Sequence, residues 1–170
     1  VLGDLGAMRR AMALLPEPWP VARLSAVADA ALCPPRCLPV VEPPGLPEGL
    51  AALPWGEVDA RAGAAAVACI EAAVRAVQGG LARGIVTAPI HKAALAAAGV
   101  PYPGHTEMLQ ALAGGVPVRM MLANDELRVV LVTIHQSLRS AIDAVTFDAV
   151  LDTLRIAQRA GVGARIAVAG

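Results

Sequence analysis

The chain has 170 residues, 56% of them hydrophobic but only 2% aromatic, and its 14 basic and 14 acidic side chains cancel at pH 7. A length typical of one domain supports a true core, which here must be built of Ala, Val and Leu, as helices packed closely on strands allow. Balanced charge without a basic run argues against nucleic acid as a partner. No apolar stretch approaches the ~20 residues of a membrane span and Val1 opens without a charged leader, so a soluble, cytoplasmic protein is expected.

In chain order, "VLGDLGAMRRAMALL" reads as the tail of a strand and then a helix, with Asp4 as N-cap and Leu5, Met8, Met12 and Leu15 in helical spacing. Between Pro16 and Pro54 the prolines are too frequent for a long helix, so "VARLSAV" and "CLPVV" are expected as short strands or extended connections. Cys33 and Cys37 in "CPPRC", with Cys69, form an odd set with no second pair to complete a zinc site. Buried or incidental thiols, not a disulfide framework, are expected.

The alanine-rich run "EVDARAGAAAVACIEAAVRAVQGGLARG" carries Val67, Ile70, Val74 and Val77 on one stripe and stops at Gly79-Gly80, which predicts a helix. "GIVTAPIHK" reads as a short apolar strand, "AALAAAG" as a helical turn or two ending at Gly99, and "GHTEMLQALAG" as a short helix opening near His105-Thr106. "VRMMLA" and "LRVVLVTIH" around "NDE" predict a β-hairpin over residues 118–135. "SLRSAIDAVTFDAVLDTLRIAQRAGVG" gives two helices, the second capped by Thr146, and "ARIAVAG" one more strand. This alternation predicts an α/β fold with a largely parallel sheet, in which ligands collect beyond the carboxyl ends of the strands.

The polar groups cluster where such a crevice would form. His91 with Lys92, and His135 with Gln136, each follow an apolar segment, and imidazole at a strand's end suits a divalent metal. Each could equally satisfy a backbone carbonyl or face water, and Lys92 could be a solvated lysine or a phosphate partner. His105 and Thr106 follow "PYPG" at a predicted helix start, where free amides and the helix dipole favour a phosphate or carboxylate; plain capping by Thr106 accounts for them as well. Glu107 is expected only to complement that helix N-terminus. Neither a G-x-G-x-x-G fingerprint nor a P-loop is present, and a serine-hydrolase elbow is absent.

Two blocks, "VTAPIHKAALAAAGVPYPGHTEML" and "MMLANDELRVVLVTIHQSLRSAIDAVT", carry a specific likeness. Through them, and from "VLGDLGAMRRA" to "RIAVAG", the chain resembles the PdxA family, the 4-hydroxythreonine-4-phosphate dehydrogenases of pyridoxal 5′-phosphate biosynthesis. The resemblance implies an isocitrate/isopropylmalate-dehydrogenase-like fold with a mostly parallel sheet and flanking helices, and a cytoplasmic homodimer using NAD or NADP and a divalent metal (Zn, Mg or Co). The implied reaction oxidises 4-phosphooxy-L-threonine, and loss of CO₂ then leaves 3-amino-2-oxopropyl phosphate. The metal polarises the oxidised oxygen while nicotinamide takes the hydride. Carried over by position, His105 and Thr106 become substrate-binding residues and His135 a metal ligand; His91 and Lys92 match a family segment to which no role is transferred.

The resemblance also implies an incomplete chain. The family's opening segment would precede Val1, and its C-terminal half, with two further metal histidines, would follow Gly170. Residues 1–100 would then belong to a first lobe and 101–170 to the start of a second, and the isolated chain would be inactive. Dehydrogenases of 4-phosphorylated threonate or erythronate, or of a cis-dihydrodiol carboxylate, would carry similar motifs. A phosphate acyltransferase-like protein and a non-catalytic remnant are the remaining alternatives.

Overall fold

The computed structural model describes residues 1–161, 163 and 165–169. The chain divides into two compact units, residues 1–115 and 116–170.

In the first unit the chain start is held beside a short parallel sheet. Strands β1 (Val21–Leu24) and β2 (Leu38–Val41) run parallel, with Val21 opposite Leu38 and Leu24 opposite Val41. Leu2 bridges Val41 on the other side of β2, through Val41 N–H to the Val1 carbonyl at 2.9 Å and Gly3 N–H to the Val41 carbonyl at 3.2 Å. Successive amides of a strand alternate sides: Leu38 donates towards β1, to the Pro20 carbonyl, and Val41 towards Val1. The N–H that Pro39 lacks would therefore face the Val1 side, where it breaks no bond between β1 and β2.

Helix α1 (Leu5–Met12) starts where Asp4 accepts from Ala7 N–H at 2.6 Å and Glu42, just past β2, accepts from Leu5 N–H at 2.9 Å. Two of the four N–H groups left open at a helix start are thus satisfied by carboxylates. Arg23 of β1 neutralises Glu42 at 2.8 Å. Arg10 of α1 donates to the carbonyls of Ala51 and Leu53 and lies 4.2 Å from the centre of the Trp55 ring, fastening the proline-rich loop to the helix.

Helix α2 (Ala60–Gln78) has the expected extent and stop, with Gly80 taking the left-handed conformation (φ 72°) just beyond it. Asp59 caps it, accepting from the Arg61 amide at 2.7 Å and from the Arg61 guanidinium at 2.8 and 3.1 Å. Ile70 and Val74 of the predicted stripe are buried, whereas Val67 and Val77 are half-buried and Gly63, Ala68 and Ala76 complete the inner face. The face is shifted because small residues let α3 (Lys92–Ala97) approach closely, burying Ala94 and Leu95. Helix α3 closes in a Schellman motif, Val100 N–H to the Leu95 carbonyl and Gly99 N–H to the Ala96 carbonyl, with Gly99 at φ 71°. Helix α4 (His105–Leu112) buries Met108, and Gln78 at the end of α2 donates to the Leu112 carbonyl.

The expected strand over "GIVTAPIHK" is not formed: residues 84–91 lie outside any helix or strand. A strand is defined by the neighbours that accept its backbone bonds, and among the described residues no other strand pairs with this segment. Val86 is fully exposed.

In the second unit the predicted hairpin appears, but shorter. β3 (Met121–Ala123) and β4 (Arg128–Val130) pair antiparallel, Met121 opposite Val130, around a turn in which Asn124 Oδ1 accepts from Glu126 and Leu127 N–H. Two helices follow as expected. Ser137 caps α5 (Leu138–Ala144) and Thr146 caps α6 (Phe147–Arg159). Buried Thr153 of α6 donates to the Ala149 carbonyl and accepts from Arg119, so its hydroxyl is satisfied. The strand expected over 164–170 is absent from 165–169; Ala164 and Gly170 lie outside the described residues. The fold is α/β, with a parallel sheet, flanking helices and an antiparallel hairpin. No helix among the described residues is long and apolar enough to cross a membrane.

Candidate functional site

His105 and Thr106 open α4 in the first unit. Their N-cap is Gly104, which is buried, extended (φ −175°) and without a side chain to cap the helix. The backbone continues through Met108 N–H to the Gly104 carbonyl at 3.3 Å, while among the described residues the amides of His105, Thr106 and Glu107 find no acceptor. Thr106 is exposed, and neither its hydroxyl nor the half-buried His105 ring has a hydrogen-bond partner among the described residues. The plain capping role open to Thr106 is therefore not the one it plays: it stands two residues past the N-cap, which Gly104 has taken. Glu107 sits in the same turn and complements the dipole as expected.

His105 lines a cavity of about 480 Å³. Its walls include Leu2, Val41 of β2, Ala66 and Ile70 of α2, and the segment 84–90. Cys69 is the soft group in the α2 wall; burial, and secondarily the charge of Asp4, push its thiol pKa up, keeping it protonated. No signal in the sequence marked this cavity, because its walls are ordinary apolar residues drawn from separate segments.

His91 has a structural task. Its Nδ1 accepts from Ala94 N–H at 3.3 Å as the N-cap of α3, leaving Nε2 as the free nitrogen. Lys92 is the exposed first residue of that helix. Neither histidine follows a strand directly: His91 follows the irregular segment, and His135, in the second unit, comes after β4 has ended at Val130. His135 is exposed and has φ 54°; among the described residues it is one of two non-glycine residues in the left-handed region, the other being Arg36. Such a backbone costs energy for a residue with a Cβ. No three His, Cys, Asp or Glu side chains gather as a metal site among the described residues; these residues do not by themselves complete a metal centre around His135.

The family described as "Pyridoxal phosphate biosynthetic protein PdxA" matches over residues 1–170. A relative from Beijerinckia indica, named 4-hydroxythreonine-4-phosphate dehydrogenase, is 46% identical over 176 residues, covering 100% of this chain and 51% of its own length. Another of that name from Desulfosudis oleivorans is 37% identical with the same coverage. The chain spans about half the length of the curated relatives it matches. Among solved structures, a Klebsiella pneumoniae enzyme of this name superposes with TM-score 0.85 at 33% identity, over 94% of this chain and 47% of that one. One from Burkholderia phymatum gives 0.85 at 34%, over 98% and 49%. Matched along its whole length in sequence and nearly all of it in backbone, the chain belongs to the PdxA family.

Proposed function

We propose that this chain serves the NAD- or NADP-dependent oxidation and decarboxylation of 4-phosphooxy-L-threonine to 3-amino-2-oxopropyl phosphate in pyridoxal 5′-phosphate biosynthesis. The observation that carries the reading is the start of α4: Gly104 supplies no cap, and the Thr106 hydroxyl, the His105 ring and the first-turn amides are left for a ligand. Donors converging at a helix N-terminus suit an anionic group. His105 and Thr106 bind the substrate in this reading, and His135 contributes one imidazole to a divalent metal (Zn, Mg or Co) that polarises the oxidised oxygen. The strained backbone at His135 supports that role, since such strain collects at functional positions. An isocitrate/isopropylmalate-dehydrogenase-like fold, its lobes meeting near residue 100, a homodimer and a cytoplasmic location belong to the same proposal.

The test is an exchange: residues 1–170 of this chain replace the matching segment of the Beijerinckia indica relative. The chimera should reduce NAD or NADP with 4-phosphooxy-L-threonine in a metal-dependent way, faster than with 4-phosphorylated threonate, 4-phosphorylated erythronate or a cis-dihydrodiol carboxylate. Preference for one of those reassigns the substrate. The 170-residue chain alone should not turn over, because the described residues assemble no set of three metal ligands; metal-dependent reduction by the chain alone overturns that part.

A further inference from the structure

Among the described residues, only three side chains in the wall of the cavity beside α4 carry a polar atom: Cys69, Thr87 and His105. Alanine, valine, leucine, isoleucine, glycine and proline make up the rest. A pocket of this kind holds a ligand's body by apolar contact and sets its orientation through the few polar groups it has. Burial keeps the Cys69 thiol protonated, and a thiol is a weak hydrogen-bonding group. Thr87 is different. It is exposed in the irregular segment 84–91, and its hydroxyl has no hydrogen-bond partner among the described residues. No helix or strand contains it, and the cap that ends its segment is made by His91. Of the two α4 residues proposed to bind substrate, His105 lines the cavity and Thr106 does not. A ligand gripped by both therefore has its anionic group at the start of α4 and the cavity open to its other end.

We propose that Thr87 is a further substrate-positioning residue of the reaction proposed above, on which this inference rests. With the phosphate at the start of α4, the amino-acid end of 4-phosphooxy-L-threonine lies in the cavity and hydrogen-bonds the Thr87 hydroxyl. That hydroxyl can donate to the substrate carboxylate or accept from its ammonium, and no proton transfer is asked of it. Apolar walls strengthen the bond, because once the ligand fills the cavity neither partner can turn to bulk water. The segment also keeps Thr87 in place: Pro89 restricts the backbone two residues on, and His91 Nδ1 fastens the end of the segment by accepting from Ala94 N–H at 3.3 Å. A contact made on binding and kept through the reaction shows in KM and leaves kcat nearly unchanged.

Binding to the chimera is measured by calorimetry with 4-phosphooxy-L-threonine and with inorganic phosphate as separate probes, and KM and kcat are measured beside it. Thr87→Val keeps the shape and removes the hydroxyl. It should weaken binding of 4-phosphooxy-L-threonine about tenfold or more, raise KM to match and leave the affinity for inorganic phosphate unchanged. Thr87→Ser should restore most of that loss, and Thr106→Ala should weaken both probes. Full affinity for 4-phosphooxy-L-threonine in Thr87→Val, a loss that serine does not restore, or an equal loss for both probes overturns the proposal. Failure of the underlying reading looks different: the parent chimera then binds neither probe, or Thr106→Ala leaves both unaffected, and the role of Thr87 falls with it.

Discussion

Gly63 of α2 faces the backbone of Ala94 in α3 so closely that a Cβ at position 63 would fall 2.1 Å from the Ala94 carbonyl oxygen and 2.5 Å from its carbon. The obstacle is backbone, so no side-chain rotation relieves it. Gly63→Ala gains about 1 kcal/mol of helix propensity, but forcing extra volume into such a contact costs typically about 1–3 kcal/mol, here at the upper end or beyond. A lower thermal midpoint than the parent is expected; a higher one would mean that the two helices do not meet at this distance.

His105→Ala and Thr106→Ala, made in the chimera, should each raise KM for the phosphorylated substrate, with bound metal unchanged. Loss of one hydrogen bond to a charged group is worth about 1.5–3 kcal/mol, or roughly 10- to 150-fold. Because neither side chain has a hydrogen-bond partner in the described chain, melting should barely move. Loss of metal at unchanged KM would exchange the roles of His105 and His135.

The legible parts of the sequence were those whose signals are local. Caps at Asp4 and Thr146, the Gly79-Gly80 stop and the Asn124 turn act within a few residues, and each element stands close to where its residues place it. Strands were a different matter. "GIVTAPI" has the apolar content of a buried strand, but content does not supply a hydrogen-bonding neighbour, and the segment stays irregular. At the site, the helix start at His105 could be read from "PYPG" before it, whereas the choice of Gly104 over Thr106 as N-cap could not, since either fits a helix start.

His135→Gly should separate stability from function. Removing the Cβ relieves a left-handed conformation whose cost is about 1–3 kcal/mol, so the glycine variant should melt no lower than the parent and above His135→Ala. In the chimera both variants should lose turnover and metal together, by about 10–100-fold or more. Full metal occupancy in either variant would reduce His135 to an exposed turn residue.

Asp59 gives a pH dependence of definite sign. Hydrogen bonds from the Arg61 side chain, and then from its backbone N–H, hold the Asp59 carboxyl below the usual carboxylate range. Its folded pKa is thus lower than its unfolded value of about 3.9, so the stability it adds is present above that pH and lost as the pH falls through the folded value. The start of α2 should loosen in acid, and Asp59→Asn, which keeps a capping oxygen, should flatten that dependence. Helix content followed by circular dichroism from neutral pH into acid, parent against variant, checks it; parallel curves would mean the charge is irrelevant.

The Arg10 guanidinium over Trp55 also decides what light can report about this protein. Trp19, Trp55 and the single tyrosine, Tyr102, all fall within residues 1–115, while residues 116–170 hold only Phe147 among the aromatic side chains. Intrinsic emission therefore follows one unit and is blind to the other, whereas far-ultraviolet circular dichroism sees the helices of both. Where the two melting curves coincide, the units unfold together; where they part, the emission curve belongs to the unit in which Arg10 leaves the Trp55 ring.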